Sequence, residues 1–133
     1  MAEKKNRLKA TASVMAVAAG LAGMAQAQEA EQTVVRIAEL VIDPVQLEAY
    51  KAAVKEEMEE SIRVEPGVLA IYSVAEKGKP NSLRFFEIYA NDQAYRAHLE
   101  SPHFKKYVAV TQPMIQSRKL IETVPVQLSA KGR

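Results

Sequence analysis

The 133-residue sequence contains no cysteine and no tryptophan, and it has only two histidines. Without cysteine the chain has no disulfide bonds, no thiolate metal ligands and no lipid-modified cysteine. It also has no G-x-G-x-x-G or phosphate-binding loop, so a flavin or nicotinamide site has no sequence support. Acid–base chemistry near neutral pH therefore has few candidates, and His98 and His103 are the first of them.

A basic and then apolar segment opens the chain. Four basic residues precede 16 uncharged residues, Ala10 to Ala25, and the small-residue pattern Ala25-Gln26-Ala27 follows. The apolar run is shorter than the ~20 residues that span a bilayer, and there is no twin arginine. This pattern predicts a general-secretory signal peptide over residues 1–27, cleaved after Ala27, and a periplasmic or secreted protein. An uncleaved anchor is the alternative.

Cleavage changes the charge of the chain. The full sequence has a formal charge of +2, but removal of residues 1–27 leaves 106 residues with 14 basic and 15 acidic groups, a formal −1. Nucleic-acid binding needs a concentrated basic surface, so we do not expect it. A domain of this size without disulfides gains stability by burying more apolar surface in a dimer.

The remaining chain predicts a short lead-in over residues 28–32, one domain over 33–128 and a polar tail over 129–133. Runs rich in β-branched and aromatic residues predict four strands. These strands are Thr33–Ile42, Val68–Glu76, Ser82–Ala90 and Arg118–Leu128. The polar loop 77–81 predicts a hairpin between the second and third strands, and Pro125 places the last strand at an edge or bulge.

Two helices lie between these strands. Asp43-Pro44-Val45-Gln46 has the N-cap, first-position proline and capping-box residues of a helix start, and Pro66-Gly67 ends that helix. Its predicted apolar stripe consists of Leu47, Tyr50, Val54, Met58 and Ile62, and its predicted solvated face consists of Glu56, Glu57, Glu59 and Glu60. Asn91 caps the second helix, which Ser101-Pro102 break in two.

The resulting order, β-α-β-β-α-β, is the α+β pattern of a ferredoxin-like fold, with helices on one side of an antiparallel sheet. The first strand is apolar on both alternating sets of positions, so both of its faces should be covered. A second copy of the chain is the simplest cover for the open face, and we therefore expect a homodimer.

Several short motifs carry a resemblance to a known family. They are Glu65-Pro66-Gly67, Glu87-Ile88-Tyr89, Ala94, His98 and Pro102-His103-Phe104. Over Thr33 to Leu128 the chain resembles the antibiotic biosynthesis monooxygenases, which are dimeric α+β barrels, and within them the quinol monooxygenases. The resemblance implies oxidation of a small electron-rich aromatic, such as a quinol, by dioxygen without a cofactor. Haem-degrading relatives rely on a tryptophan, which this chain lacks.

Two alternatives stay open, because the same fold hosts several functions. One is an isomerase of a small carbonyl or sugar-phosphate compound, and the other is a non-catalytic dimer that binds a small molecule. Both monooxygenase and isomerase would need a base at the wall of a cavity.

The candidate catalytic residues are His98, His103 and Glu87. His98 lies on the apolar side of its helix, either as a hydrogen-bonded core residue or as a base. His103 lies in the first turn of a helix, which disfavours its positive charge, and it is either a capping residue or the base. Glu87 is interpreted as orienting that base or as forming a buried ion pair with Arg36.

The candidate substrate-binding residues are mostly aromatic, although each is also suited to the core. They are Tyr72, Phe86, Tyr89, Phe104, Tyr107 and Arg36. A metal site is not expected, because His98 and His103 are five positions apart with Pro102 between them and do not share a helix face.

Overall fold

The computed structural model describes residues 32–132, and the predicted signal peptide lies outside these described residues. The order of elements confirms the ferredoxin-like prediction. The elements are β1 (Val34–Ile42), α1 (Leu47–Val64), β2 (Val68–Glu76), β3 (Lys79–Tyr89), α2 (Asp92–Glu100), α3 (Pro102–Thr111) and β4 (Ile115–Glu122). Short 3₁₀ turns, Pro44–Gln46 and Gln112–Met114, precede α1 and β4. Within residues 32–132, no helix has the length and apolar character that crossing a membrane would require.

The four strands form one antiparallel sheet in the order β2-β3-β1-β4. Side chains of β3 alternate between the two faces of this sheet. Phe85 and Tyr89 are buried, and they share their face with Glu87. The main core lies on this face, where Leu40, Leu83 and Phe85 pack with Tyr50 and Val54 of α1.

The predicted capping pattern forms, with one modification, at the 3₁₀ turn Pro44–Gln46 that leads into α1. Asp43 Oδ1 accepts a hydrogen bond from the Val45 N–H at 3.0 Å, and Gln46 Nε2 donates to Asp43 Oδ2 at 3.0 Å. The Asp43 N–H itself donates to the Met114 carbonyl at 2.8 Å. Gln46 therefore bonds the capping side chain, because the backbone donor already connects α1 to the turn before β4.

The break between α2 and α3 is built as the sequence predicts. Asn91 Oδ1 accepts from the Ala94 N–H at 2.8 Å and caps α2. Ser101 Oγ accepts from the Phe104 N–H at 3.3 Å and donates to the His98 carbonyl at 2.7 Å. Ser101 thus ends α2 and starts α3, and the change of direction brings His98 and His103 towards one point.

Three boundaries differ from the predictions. The β2–β3 loop is Lys77-Gly78 rather than residues 77–81, because Gly78 at φ +85° allows a tight turn and β3 continues through Pro80 with an irregular register. Strand β4 starts earlier, at Ile115, and ends at Glu122 instead of Leu128. It is an edge strand, as Pro125 suggested, but this proline lies beyond its end.

The apolar stripe of α1 was also placed slightly wrongly. Ile62 is 52% exposed, whereas Glu57 and Ser61 are buried beside the predicted Leu47, Tyr50 and Val54. The prediction that Glu57 lies on a solvated face is therefore wrong. Composition suggested a uniform acidic face, but helical spacing places Glu57 three residues after Val54 and four before Ser61, on the buried side.

Candidate active site

A cavity of about 130 Å³ lies between the sheet and the helices. Aromatic side chains of β3, α2 and α3 line much of it. They are Phe85, Tyr89, Tyr95, Phe104 and Tyr107. The polar groups at its wall include Glu57, Glu87 and His98. An apolar chamber with a few convergent polar groups is the usual form of a small-molecule site.

Glu87 reaches this cavity because it lies between Phe85 and Tyr89 on the helix-covered face of β3. Burial raises the pKa of Glu87 to about 7, and repulsion by Glu57 acts in the same direction. A hydrogen bond from the Tyr89 side chain and the positive charge of Arg36 both lower the pKa of Glu87, but by less than burial raises it. Glu87 is thus a carboxyl group that exchanges a proton near neutral pH.

The Tyr89 hydroxyl is the second unusual group in the cavity. Its side chain is fully buried, and among residues 32–132 no group meets its oxygen at full hydrogen-bond geometry, although a looser hydrogen bond from this hydroxyl lowers the pKa of Glu87. Tyr89 stacks edge-on against Tyr95, with ring centroids 5.1 Å apart, and lies 5.3 Å from the His98 ring. A buried hydroxyl that is left unpaired costs about 1–3 kcal/mol, and its position beside the cavity leaves this poorly paired hydroxyl able to donate to a bound ligand.

Four titratable residues meet at this wall and behind it, and we name them the His–Glu cluster: Glu57, Glu65, His98 and His103. Glu65 Oε2 lies 2.9 Å from His98 Nδ1 and 2.7 Å from His103 Nε2. Glu57 Oε1 lies 3.3 Å from His98 Nε2. His98 is only 2% exposed and Glu57 only 6%. The cluster therefore joins the C-terminal half of α1 to α2 and α3.

The pKa values of the two glutamates in the cluster are shifted in opposite directions. Burial is the largest influence on Glu65 and raises its pKa, but hydrogen bonds from His98 and His103 outweigh it and leave the pKa below its ordinary value. Burial raises the pKa of Glu57, and the Ser61 hydroxyl, 2.7 Å from its Oε1, only partly compensates. Glu65 is thus the ionised partner of the two imidazoles.

Sequence reasoning found both histidines of this cluster but gave neither glutamate a role in the site. Glu65 was quoted only as part of the Glu65-Pro66-Gly67 motif, and Glu57 was placed in solvent. A signal was present for Glu57, since Ser61 follows it by one helical turn and supplies a buried hydroxyl partner. No local pattern indicates that Glu65, at the end of α1, reaches two residues more than 30 positions later.

The other predicted binding residues separate into two groups. Tyr89, Phe104 and Tyr107 line the cavity. Tyr72 and Phe86 are paired across β2 and β3 on the opposite, open face of the sheet, and their side chains are 62% and 37% exposed. Their assignment to a pocket shared with His98 is therefore wrong, because the strand alternation directs them away from the helices.

Arg36 lies opposite Glu87 in the β1–β3 register, as an ion pair between them would require. Its guanidinium instead lies over the Tyr95 ring, 4.6 Å from the ring centroid. This cation–π contact directs the charge of Arg36 towards the aromatic ring. The predicted Arg36–Glu87 ion pair is thus replaced by a weaker electrostatic influence on the Glu87 carboxyl.

A second, larger depression lies on the outer side of the His–Glu cluster. This open groove has a volume of about 810 Å³, and its lining includes Glu65, Gly67, Ala94 and His103. The inner cavity contains Glu57 and His98 in its wall. The cluster therefore separates the inner cavity from the groove.

A ferredoxin-like sheet with a small aromatic cavity under its helices defines a class of compact α+β proteins, and comparison with known proteins identifies the family. Residues 33–110 match the family model described as "Antibiotic biosynthesis monooxygenase". The chain belongs to this family. No curated protein gives a significant match.

Solved structures agree with this assignment. A candidate antibiotic biosynthesis monooxygenase from Bacteroides thetaiotaomicron VPI-5482 is 47% identical, with a TM-score of 0.74, over 78% of this chain and 99% of that chain. A candidate monooxygenase from Lactobacillus acidophilus NCFM is 35% identical, with a TM-score of 0.69, over 71% of this chain but 45% of that longer chain. A protein from Nitrosomonas europaea, 23% identical with a TM-score of 0.67 over 71% of this chain and 99% of that chain, shares the fold.

Proposed function

We propose that the protein is a cofactor-independent monooxygenase that oxidises a small, electron-rich aromatic of the quinol type with dioxygen. The observation that carries this proposal is the cavity in which Glu87 and the poorly paired Tyr89 hydroxyl lie among aromatic rings. Membership of a monooxygenase family supports oxygenation as the reaction class.

Glu87 is the base in this proposal, and Tyr89 is the hydrogen-bond donor to the substrate oxygen. The sequence had suggested a histidine as the base with Glu87 behind it. Both imidazoles, however, lie within 2.9 Å of the ionised Glu65, whereas Glu87 lies at the cavity wall with a pKa of about 7. A base of this pKa is half-ionised near neutral pH, which suits general-base catalysis.

The reaction needs no reductant besides the substrate. Glu87 accepts a phenolic proton, and the resulting anion transfers one electron to dioxygen, which gives a semiquinone and superoxide. These two radicals combine at a ring carbon to form a peroxide, whose O–O bond breaks as water leaves. A hydroquinone and dioxygen thus yield a hydroxyquinone and one water, with one oxygen atom in each product. The Tyr89 hydroxyl stabilises the negative charge on the substrate oxygen.

The size of the cavity restricts the substrate. Pockets for drug-sized ligands measure roughly 300–1,000 Å³, whereas an apolar cavity of about 150 Å³ holds one benzene ring. At about 130 Å³, the inner cavity fits a single aromatic ring. We therefore expect benzene-derived quinols to be better substrates than polycyclic ones.

An oxygen-uptake assay with single-ring and polycyclic quinols tests this function. We expect ¹⁸O₂ to label one oxygen atom of the product, and Glu87→Gln to lower kcat/KM by about 10²–10⁴-fold, the usual contribution of a general base. Glu59→Gln, which changes an exposed carboxylate, is the matched control. Product formation at an unchanged rate without oxygen would instead support an isomerase, and wild-type activity in Glu87→Gln would remove the assigned base.

The dimer is part of the same proposal. The open face of the sheet exposes Tyr72 and Val74 by 62% and 61%, next to Phe86 at 37%, and contiguous apolar patches of this kind mark protein interfaces. We expect light scattering to give the mass of two chains, and Val74→Arg to give one. Val45→Arg, on a residue 93% exposed away from the sheet, should remain dimeric. A wild-type mass of one chain would contradict the dimer.

Export is likewise proposed from the sequence pattern of residues 1–27. Intact-mass measurement of the protein recovered from a bacterial periplasm should give a chain that begins at Gln28. Recovery of the uncleaved 133-residue chain in the cytoplasm would contradict this localisation.

A further inference from the structure

The His–Glu cluster has features that the proposed oxidation does not use. We propose that Glu57, His98 and His103 bind a divalent first-row transition cation such as Zn²⁺, with Glu65 orienting the imidazoles from outside. One nitrogen of each histidine and one carboxylate oxygen of Glu57 lie within 4.8 Å of one another. This inference does not depend on the proposed oxidation.

The contact between Glu57 and His98 is close and buried. Glu57 Oε1 lies 3.3 Å from His98 Nε2, and the two residues are 6% and 2% exposed. Glu65 Oε2 lies 2.9 Å from the other ring nitrogen, Nδ1. A carboxylate oxygen and a ring nitrogen that face each other away from water hold either a shared proton or a metal cation between them, and metal titration distinguishes the two.

The distances agree with metal coordination. With bonds of about 2.0–2.1 Å, neighbouring ligand atoms of tetrahedral Zn²⁺ are roughly 3.3 Å apart. The separation of Glu57 Oε1 and His98 Nε2 already has this value. A ring nitrogen of His103 lies within 4.8 Å of these two atoms, and coordination would require this side chain, whose Nε2 contacts Glu65 Oε2 at 2.7 Å, to move towards them.

The surroundings resemble those of known sites in two respects. A ligating histidine usually donates its other N–H to a carboxylate, which fixes its tautomer, and Glu65 occupies this position for His98. The cluster also borders the groove through Glu65 and His103, which provides an entry path. Two imidazoles and one carboxylate suit Zn²⁺ and Fe²⁺ rather than Ca²⁺ or Mg²⁺.

The helix break explains why two histidines that do not share a helix face still lie close together. Five positions on one continuous helix would separate the two rings, but they lie on different helices. Ser101 ends α2 and starts α3, and the ring centroids are therefore only 6.2 Å apart.

Metal titration of the untagged, chelator-treated protein tests this site. Because the chain has only two histidines, imidazole ligation can come from no other residues. We expect one Zn²⁺ per chain by calorimetry, competition by Co²⁺ with visible bands of nitrogen–oxygen coordination, and a higher Tm with metal. Glu65→Gln should weaken Zn²⁺ binding by about 10–100-fold, as expected for an outer carboxylate.

Two variants and one control separate the site from adventitious binding. His103→Ala and Glu57→Gln should each abolish stoichiometric Zn²⁺ binding, and His103→Ala removes the less buried histidine, so it is the variant more certain to fold. Glu60→Gln, beside the cluster but bonded to Arg63 at the surface, should bind like the wild type. Absence of saturable binding in the wild type, or equal binding in His103→Ala, would overturn the proposal.

Discussion

Replacing Glu87 with glutamine should increase stability while it removes activity. Burial holds the pKa of Glu87 at about 7 in the native protein, against an ordinary value of 4.5. Between these pH values the native state binds more protons than the unfolded state, so the free energy of unfolding falls as pH rises through this window. This difference in pKa corresponds to a loss of about 3 kcal/mol of stability at most above pH 7. A neutral glutamine at this position does not titrate, so the variant would keep that stability.

Urea denaturation at pH 5 and pH 8.5 measures this effect. The advantage of Glu87→Gln over the wild type in free energy of unfolding should grow by about 2–3 kcal/mol between pH 5 and pH 8.5. Because the other titratable groups contribute equally to both proteins, their effects cancel when the free energy of unfolding of one protein is subtracted from that of the other. Glu59→Gln, whose side chain is 68% exposed, should show no such divergence.

Parallel pH profiles of stability for the wild type and Glu87→Gln would refute the reasoning, because they would mean that Glu87 is solvated in the native protein. The same group predicts the pH profile of activity. As the base must be ionised, kcat/KM should rise with pH through an apparent pKa of about 7.

Two further predictions concern packing. The hydroxyls of Tyr50 and Tyr107 lie 2.6 Å apart, and Tyr50 is fully buried, so Tyr107→Phe should cost about 1–3 kcal/mol by leaving one hydroxyl unpaired; the double change with Tyr50→Phe should cost less than this single one. A Cβ at Gly67 would collide with Ala94, so Gly67→Ala should cost about 1–3 kcal/mol, and Ala94→Gly should recover part of the loss. Denaturant midpoints measure both.

Each packing prediction has a clear contrary result. Equal stability of Tyr107→Phe and the wild type would show that water replaces the lost hydroxyl. Additive losses in the Gly67→Ala and Ala94→Gly double variant would show that the two residues do not share one contact.

The elements of the fold were predictable because each is specified by nearby residues. Asp43, Asn91 and Ser101 cap helices through contacts no more than three positions away. The boundaries of β4 were not predictable from nearby residues, because its start depends on a turn whose Met114 carbonyl accepts a hydrogen bond from the distant Asp43 N–H. Likewise, alternation along β3 placed Glu87 with Phe85 and Tyr89, but only the sheet shows which face the helices cover.

The sequence allowed prediction only of those site residues that belong to rare residue types. Two histidines in a chain without cysteine attracted notice, whereas two of sixteen acidic residues did not. What distinguishes Glu57 and Glu65 is position: one faces inward on a helix rich in glutamate, and the other ends that helix. Composition assigns Glu57 to solvent, whereas its helical spacing to Val54 and Ser61 and the packing of α1 place it on the buried side.

Several of the motifs that carry the family resemblance meet where the end of α1 packs against α2 and α3, and this contact explains them physically. Gly67 allows the chain after α1 to pass against Ala94 of α2, and the Gly67 carbonyl accepts from the Ala90 N–H at 2.8 Å. This close approach places Glu65 beside His98 and His103. A larger residue at position 67 would move α2 outward and separate these groups. The glycine therefore sets the geometry of the His–Glu cluster although it contributes no side chain to it.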